Sequence, residues 1–118
     1  MATILIIDDE PSIRALVRAI LEGDGHSVRE ASDGRHGLDL YRERPVDLVI
    51  TDIVMPVMDG LDLILELTRE VPTVKIIAIS GGLRNETILH MAKELGARYT
   101  FRKPFDLEAF RRAVRNVL

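Results

Sequence analysis

The sequence predicts an α/β fold, a doubly wound parallel sheet in which each of five strands is followed by a helix. Three observations predict it. Aliphatic runs and amphipathic stretches alternate five times along 118 residues. The first, third and fourth runs are nearly continuous, as expected for strands covered on both faces. Each of these three stops at a polar residue: "ILII" at Asp8 and Asp9, "VDLVIT" at Asp52, "TVKIIAI" at Ser80. Right-handed crossovers would put all these strand ends on one rim.

Each element has its own signal. Residues 4–7 form the first strand. Pro11 suits the first position of a helix, where its missing N–H is not needed. Ile13, Leu16, Val17, Ile20 and Leu21 then trace an amphipathic stripe, and Gly23 and Gly25 end it. "HSVREA" is a short, more polar strand nearer an edge. Ser32 to Gly34 opens a second helix that runs to about Arg44, and Pro45 closes it. Val46 to Thr51 is the third strand. "MPVMDG" is a loop, and an apolar helix runs from about Leu61 to Glu70. "TVKIIAI" is the fourth strand, and Gly81 and Gly82 give freedom to the loop after it. Asn85 can cap the helix carrying Ile88, Leu89, Ala92 and Leu95, with Gly96 where a left-handed residue is wanted. "RYTFR" is the fifth strand. Asp106 caps a last helix bearing Leu107, Phe110, Val114 and Val117. With no repeat or linker, residues 1–118 read as one domain.

Composition excludes several classes of function. The net charge is −3 with both signs interspersed, which argues against the basic face that nucleic acid requires. Cysteine is absent, so there are no disulfides or thiolate metal sites. No basic segment leads into a long apolar core, so there is no signal peptide, and no apolar run approaches the ~20 residues of a membrane span. The expectation is a cytoplasmic protein without a membrane or nucleic-acid partner.

In open α/β sheets ligands sit beyond the carboxyl ends of the strands. There the sequence collects Asp8 and Asp9, Asp52, Ser80 and Lys103, the last followed by Pro104. The three adjacent acids Asp8, Asp9 and Glu10 have two readings. Negative charge near a helix start is favourable by about 0.3–1 kcal/mol. Alternatively, Asp8 and Asp9 share a cation site with Asp52, because clustered carboxylates repel one another unless neutralised. Their position on the rim makes a helix start only part of their role. Oxygen ligands suit a hard ion, and a few carboxylates with several waters suit Mg2+. A carboxylate can also be a nucleophile toward phosphorus, with a metal ion and the Lys103 ammonium balancing the incoming charge.

Taken singly, these residues have plainer readings. Asp52 could be a loop-start acid, Ser80 a turn residue, and Lys103 a solvated charge. His26, His36 and His90 coincide with no strand end and read as surface residues. Met55 and Met58 read as loop packing. The Gly81–Gly82 pair lacks the pattern of a phosphate-binding loop.

Together, "ILIIDDEP", "EASDG", "DLVITDIVMPVMDG", "IIAISG" and "GARYTFRKPF" closely resemble the receiver domain of bacterial two-component response regulators, along the whole chain and in family order. The resemblance implies the flavodoxin-like strand order 2-1-3-4-5. It implies that Asp52 accepts a phosphoryl group. Asp8, Asp9 and Asp52, with the carbonyl of Val54, would hold Mg2+. Ser80 would be the switch hydroxyl and Lys103 the phosphate-binding lysine, with a cis bond to Pro104. The implied donor is a phosphohistidine on a sensor histidine kinase or histidine phosphotransfer protein, and the implied output is a remodelled surface on the fourth helix, fifth strand and fifth helix, read by another protein. Such a chain catalyses its own phosphotransfer without being a turnover enzyme.

This chain departs from the family pattern in places. Thr100 stands where the family usually has a rotating Tyr or Phe, with Tyr99 one place earlier. The loop after Ser80 is one residue longer than in the chemotaxis member. Val54 and Gly82 offer no side-chain hydrogen bond to an attacking water. The main alternative is a small Mg2+-dependent phosphatase with an aspartyl nucleophile. Such enzymes place a second acid two residues on, where this chain has Val54. A binding module that never takes phosphate is a third reading, disfavoured by the intact acid, hydroxyl and lysine set.

Overall fold

The computed structural model describes residues 1–81 and 85–118. The order is β1 (Thr3–Ile7), α1 (Pro11–Gly23), β2 (Ser27–Ala31), α2 (Gly34–Glu43), β3 (Leu48–Asp52), α3 (Gly60–Glu70), β4 (Ile76–Ser80), α4 (Asn85–Leu95), β5 (Tyr99–Arg102) and α5 (Leu107–Val117). All strand pairs are parallel, in the order β2-β1-β3-β4-β5. The fold is therefore flavodoxin-like, and the more polar β2 is an edge strand.

Alternation along each strand divides the core into two layers. Leu5, Ile7, Val49, Ile76 and Ala78 face Leu38, Leu63, Ile64, Leu67, Leu89 and Ala92 on α2, α3 and α4. Ile4, Ile6, Leu48, Ile50, Ile77 and Ile79 face Val17, Leu21, Phe110 and Val114 on α1 and α5. The aliphatic strand residues are fully buried, each worth about 1.5–3 kcal/mol relative to exposure. Met55 and Met58 pack on the first layer, as expected of loop packing.

Local signals set the helix ends. Pro11 opens α1. Asp33, Asp59 and Asp106 cap α2, α3 and α5 by accepting backbone N–H groups with their side chains. Gly96 ends α4 with φ +130, as its position implied. The freedom expected of Gly82 and the cap expected from the Asn85 side chain lie outside the described residues. β3 and β4 start later than hydropathy suggested, at Leu48 and Ile76. Val74 N–H instead closes a turn onto the Val71 carbonyl at 2.9 Å. Both strands include the polar residue at their carboxyl end, Asp52 or Ser80. Among the described residues no helix is long and apolar enough to cross a membrane.

Candidate functional site

Asp8 follows β1 directly and is fully buried. Its N–H donates to the Ala31 carbonyl at the end of β2, 3.1 Å away. Its Oδ1 accepts the Glu10 N–H at 2.9 Å. Neither Asp8 nor Asp9 caps α1, whose cap position is Glu10 without a side-chain hydrogen bond. The helix-start reading of the two acids therefore does not describe Asp8, which turns into the rim.

Asp52 closes β3 and is 4% exposed. Its Oδ1 accepts the Ile53 N–H at 2.9 Å. The N-terminus of α3 packs directly against it, and a Cβ at Gly60 would collide with the Asp52 carbonyl. Lys103 reaches over from the end of β5 through a cis bond to Pro104. Its ammonium lies 2.9 Å from Asp8 Oδ2, 2.8 Å from Glu10 Oε1 and 3.4 Å from Asp52 Oδ2. The Lys103 side chain is only 9% exposed, so it is no solvated surface charge.

The site is electrostatically unfinished. One ammonium faces three carboxylates whose oxygens, from Asp8, Glu10 and Asp52, lie within 4.8 Å of one another. Burial, and then the neighbouring Asp8, pushes the Asp52 carboxyl up to about 6. Burial likewise raises Asp8, against the Glu10 N–H and Lys103. For Lys103, burial alone would lower the pKa, but its close contacts with Glu10 and Asp8 and the charge of Asp52 outweigh it, so the ammonium is held more firmly than usual. Asp8 Oδ2 sits close to that ammonium yet lacks a directed hydrogen bond, and buried Ser80 Oγ also lacks a partner among the described residues. Buried polar atoms are rarely left so. Ser80 Oγ is a place for a ligand to complete, whereas Asp8 Oδ2 is held by the ammonium.

Asp9 and Val54 are exposed and line the cleft outside Asp52, a space of about 470 Å3 shared with Glu10, Ile13, Gly81, Lys103 and Pro104. The Asp9 carboxylate is not part of the three-acid cluster; Glu10 is. Sequence reading left Glu10 to the helix start and out of the cation site, although it adjoins the acidic pair. Of the histidines, His36 and His90 are exposed, and half-buried His26 accepts the Ala2 N–H through Nδ1, away from the rim. On β5, Thr100 lies beside Ala78 on the α4 face, whereas Tyr99 lies beside Ile77 on the opposite face. Ser80 shares the Ala78 face by alternation. Thr100, not Tyr99, therefore occupies the aromatic's usual place.

This geometry offers a buried, basic carboxylate beside a fixed cation and an open cleft, suited to receive a small anion. The sequence matches the Response regulator receiver domain family over residues 4–115. Response regulator GtcR of Aneurinibacillus migulanus is 42% identical over 111 residues, covering 93% of this chain and 45% of that protein. This chain thus spans less than half the length of that relative. Protein PilH of Pseudomonas aeruginosa is 37% identical, with 100% of this chain and 98% of that protein covered. Among solved structures, response regulator protein TrrA of Thermotoga maritima in complex with Mg2+–BeF superimposes with a TM-score of 0.90 at 30% identity, over all of both chains. The chain belongs to the response regulator receiver domain family. Its members are phosphorylation-activated signalling switches rather than enzymes that turn over a substrate, which decides against the phosphatase reading.

Proposed function

We propose that residues 1–118 act as one receiver unit whose phosphoryl acceptor is Asp52. The observation that carries this reading is the placement of a nearly buried carboxylate, pushed up to about 6, against both Asp8 and the Lys103 ammonium. Asp8, Asp9 and Asp52, with the Val54 carbonyl, would hold Mg2+. The fit is supported by the oxygen-only donors and by the three clustered carboxylates that one ammonium leaves partly uncompensated. When bound, Mg2+ supplies charge neutralisation and in-line orientation of the incoming group.

The chain's own residues do the rest. An Asp52 oxygen forms the new bond to phosphorus as the phosphorus–nitrogen bond of a donor phosphohistidine breaks. The electron pair stays on the imidazole. Lys103 exchanges contact with a carboxylate for contact with the phosphoryl oxygens, and Ser80 donates its unused hydroxyl to one of them. The donor is a sensor histidine kinase or a histidine phosphotransfer protein in the cytoplasm. The output runs to a downstream protein, without nucleic acid or membrane. A cleft of about 470 Å3 lined by Leu89, His90, Thr100, Phe101 and Phe105 crosses the β5 edge between α4 and the segment leading into α5, where such a change would be read.

Incubation with a small phosphodonor and Mg2+ tests this. Intact mass should rise by one acid-stable, base-labile phosphoryl group. Asp52→Asn should abolish the gain, and unchanged labelling of that variant would move the acceptor elsewhere.

A further inference from the structure

The acids at the end of β1 are held from behind. Arg14, on the first turn of α1, donates through Nη1 to the Asp8 main-chain carbonyl at 2.6 Å. Its Nε is bound at 3.1 Å to Glu30 on the edge strand β2. Glu30 also accepts from Arg18 one turn further along α1. The adjacent residue of β2, Ala31, takes the Asp8 N–H. Both handles on the Asp8 backbone, its N–H and its carbonyl, therefore run to consecutive residues of β2. The Arg14 side chain is 19% exposed, drawn in along the helix rather than solvated.

We propose that Arg14, aimed by Glu30, is a positioning residue for the acidic site: it clamps the Asp8 peptide so that the Asp8 carboxylate stays turned into the rim against its neighbours' repulsion. The physical need is plain. Asp8 sits beside Asp52 and Glu10, and mutual repulsion would rotate the β1–α1 junction outward unless its backbone were fixed. A planar guanidinium can serve a carboxylate and a carbonyl at once, which an ammonium cannot do with the same fixed geometry. Arg18 provides an internal contrast. It shares Glu30 and the same helix, and its recorded bonds go to Glu22 and Glu30, neither in the site.

The inference rests on the reading of Asp8, with Asp9, Asp52 and the Val54 carbonyl, as the Mg2+ site. Partners that orient ligands in this way typically change metal affinity by about 10–100-fold when removed. The test compares wild type, Arg14→Ala, Arg14→Lys and Arg18→Ala in three measurements: Mg2+ affinity by calorimetry, phosphorylation by a small donor, and amide exchange of Asp8 and Glu10 without metal. Arg14→Ala should weaken Mg2+ binding by about tenfold or more and speed exchange at those two amides selectively. Arg14→Lys should recover part of both. Arg18→Ala should leave both within about twofold of wild type, even with a similar loss of thermal stability. If Arg14→Ala fails to fold, Arg14→Lys against Arg18→Ala carries the same comparison. Equal behaviour of the Arg14 and Arg18 variants would overturn the inference and leave the metal site standing. A wild-type protein that binds no Mg2+ would overturn the site reading and the inference with it.

Discussion

The sheet has two regions built on opposite principles. In its body, Ile4, Ile6, Leu48, Ile50, Ile77 and their neighbours are buried on both faces, and main-chain groups pair along the ladder. At its carboxyl rim, within a residue of those side chains, lie Asp8, Thr51, Asp52 and Ser80, the buried polar residues among those described. The Ser80 hydroxyl lacks a partner among the described residues, and two of their carboxyls are shifted upward by burial. Every contact in the body favours folding. The rim holds like charges together against their repulsion, so its binding potential is kept at a cost in stability that the body offsets.

Substitutions on the two sides test this contrast. The largest effect belongs to the body. Ile50→Ala should cost about 2–5 kcal/mol in urea unfolding, nearly independent of pH, because it removes apolar packing and leaves a cavity. On the rim the sign should reverse. An Asp52 pKa of about 6 in the folded state, against about 3.9 unfolded, means that the folded protein binds more protons between those values. Stability contributed by this group therefore falls as pH rises from about 4 to about 6 and stays low above that. Asp52→Asn should accordingly stabilise the metal-free protein by about 1–3 kcal/mol at pH 8 and give no gain below about pH 4. A loss at pH 8 comparable to Ile50→Ala would show that the rim is held like the body.

A smaller effect lies just outside the rim. Val57 has φ +69, and the Met58 N–H donates to the Pro56 carbonyl at 2.8 Å, which makes a γ-turn of the strained, positive-φ kind around a β-branched residue. The side chain is 82% exposed, so little packing repays the strain. Val57→Asn should stabilise by about 1 kcal/mol, measured as a shift in midpoint without a change in slope. The smallest stability effect is expected at the proposed switch hydroxyl and at Tyr99. Ser80→Ala should leave stability nearly unchanged, because the hydroxyl has no partner among the described residues, yet it should uncouple phosphorylation from partner binding. Tyr99→Ala should leave phosphorylation and binding both nearly intact, since its ring stands on the face opposite Ser80. Partner titrations with a phosphoryl mimic separate the two. Coupling lost in the Tyr99 variant would restore a rotating-ring switch.

Much of this was legible from the chain. Binary patterning marked the ten elements, because strands covered on both faces read as aliphatic runs and one-sided helices as stripes. The turn to Thr100 in place of an aromatic followed from counting along a strand, since alternation fixes faces once Lys103 is placed. The true starts of β3 and β4 were not legible, because Val46 and Val74 are as apolar as the strands they precede, and only pairing with neighbours shows where a ladder begins.

The order of elements, the two-sided burial of the strands and the set of polar residues at their carboxyl ends can be read along the chain, because these depend on local periodicity and on right-handed connection. Which acids share space depends on how the chain packs in three dimensions. The strand exit turns Asp8 inward and leaves Asp9 at the mouth of the cleft, while the turn into α1 carries Glu10 back to Lys103, 93 positions away in the chain. Adjacent residues with the same charge are indistinguishable along a line. Their separation into a buried group, an exposed group and a partner for a distant ammonium is a matter of direction in space, which only the packed backbone supplies.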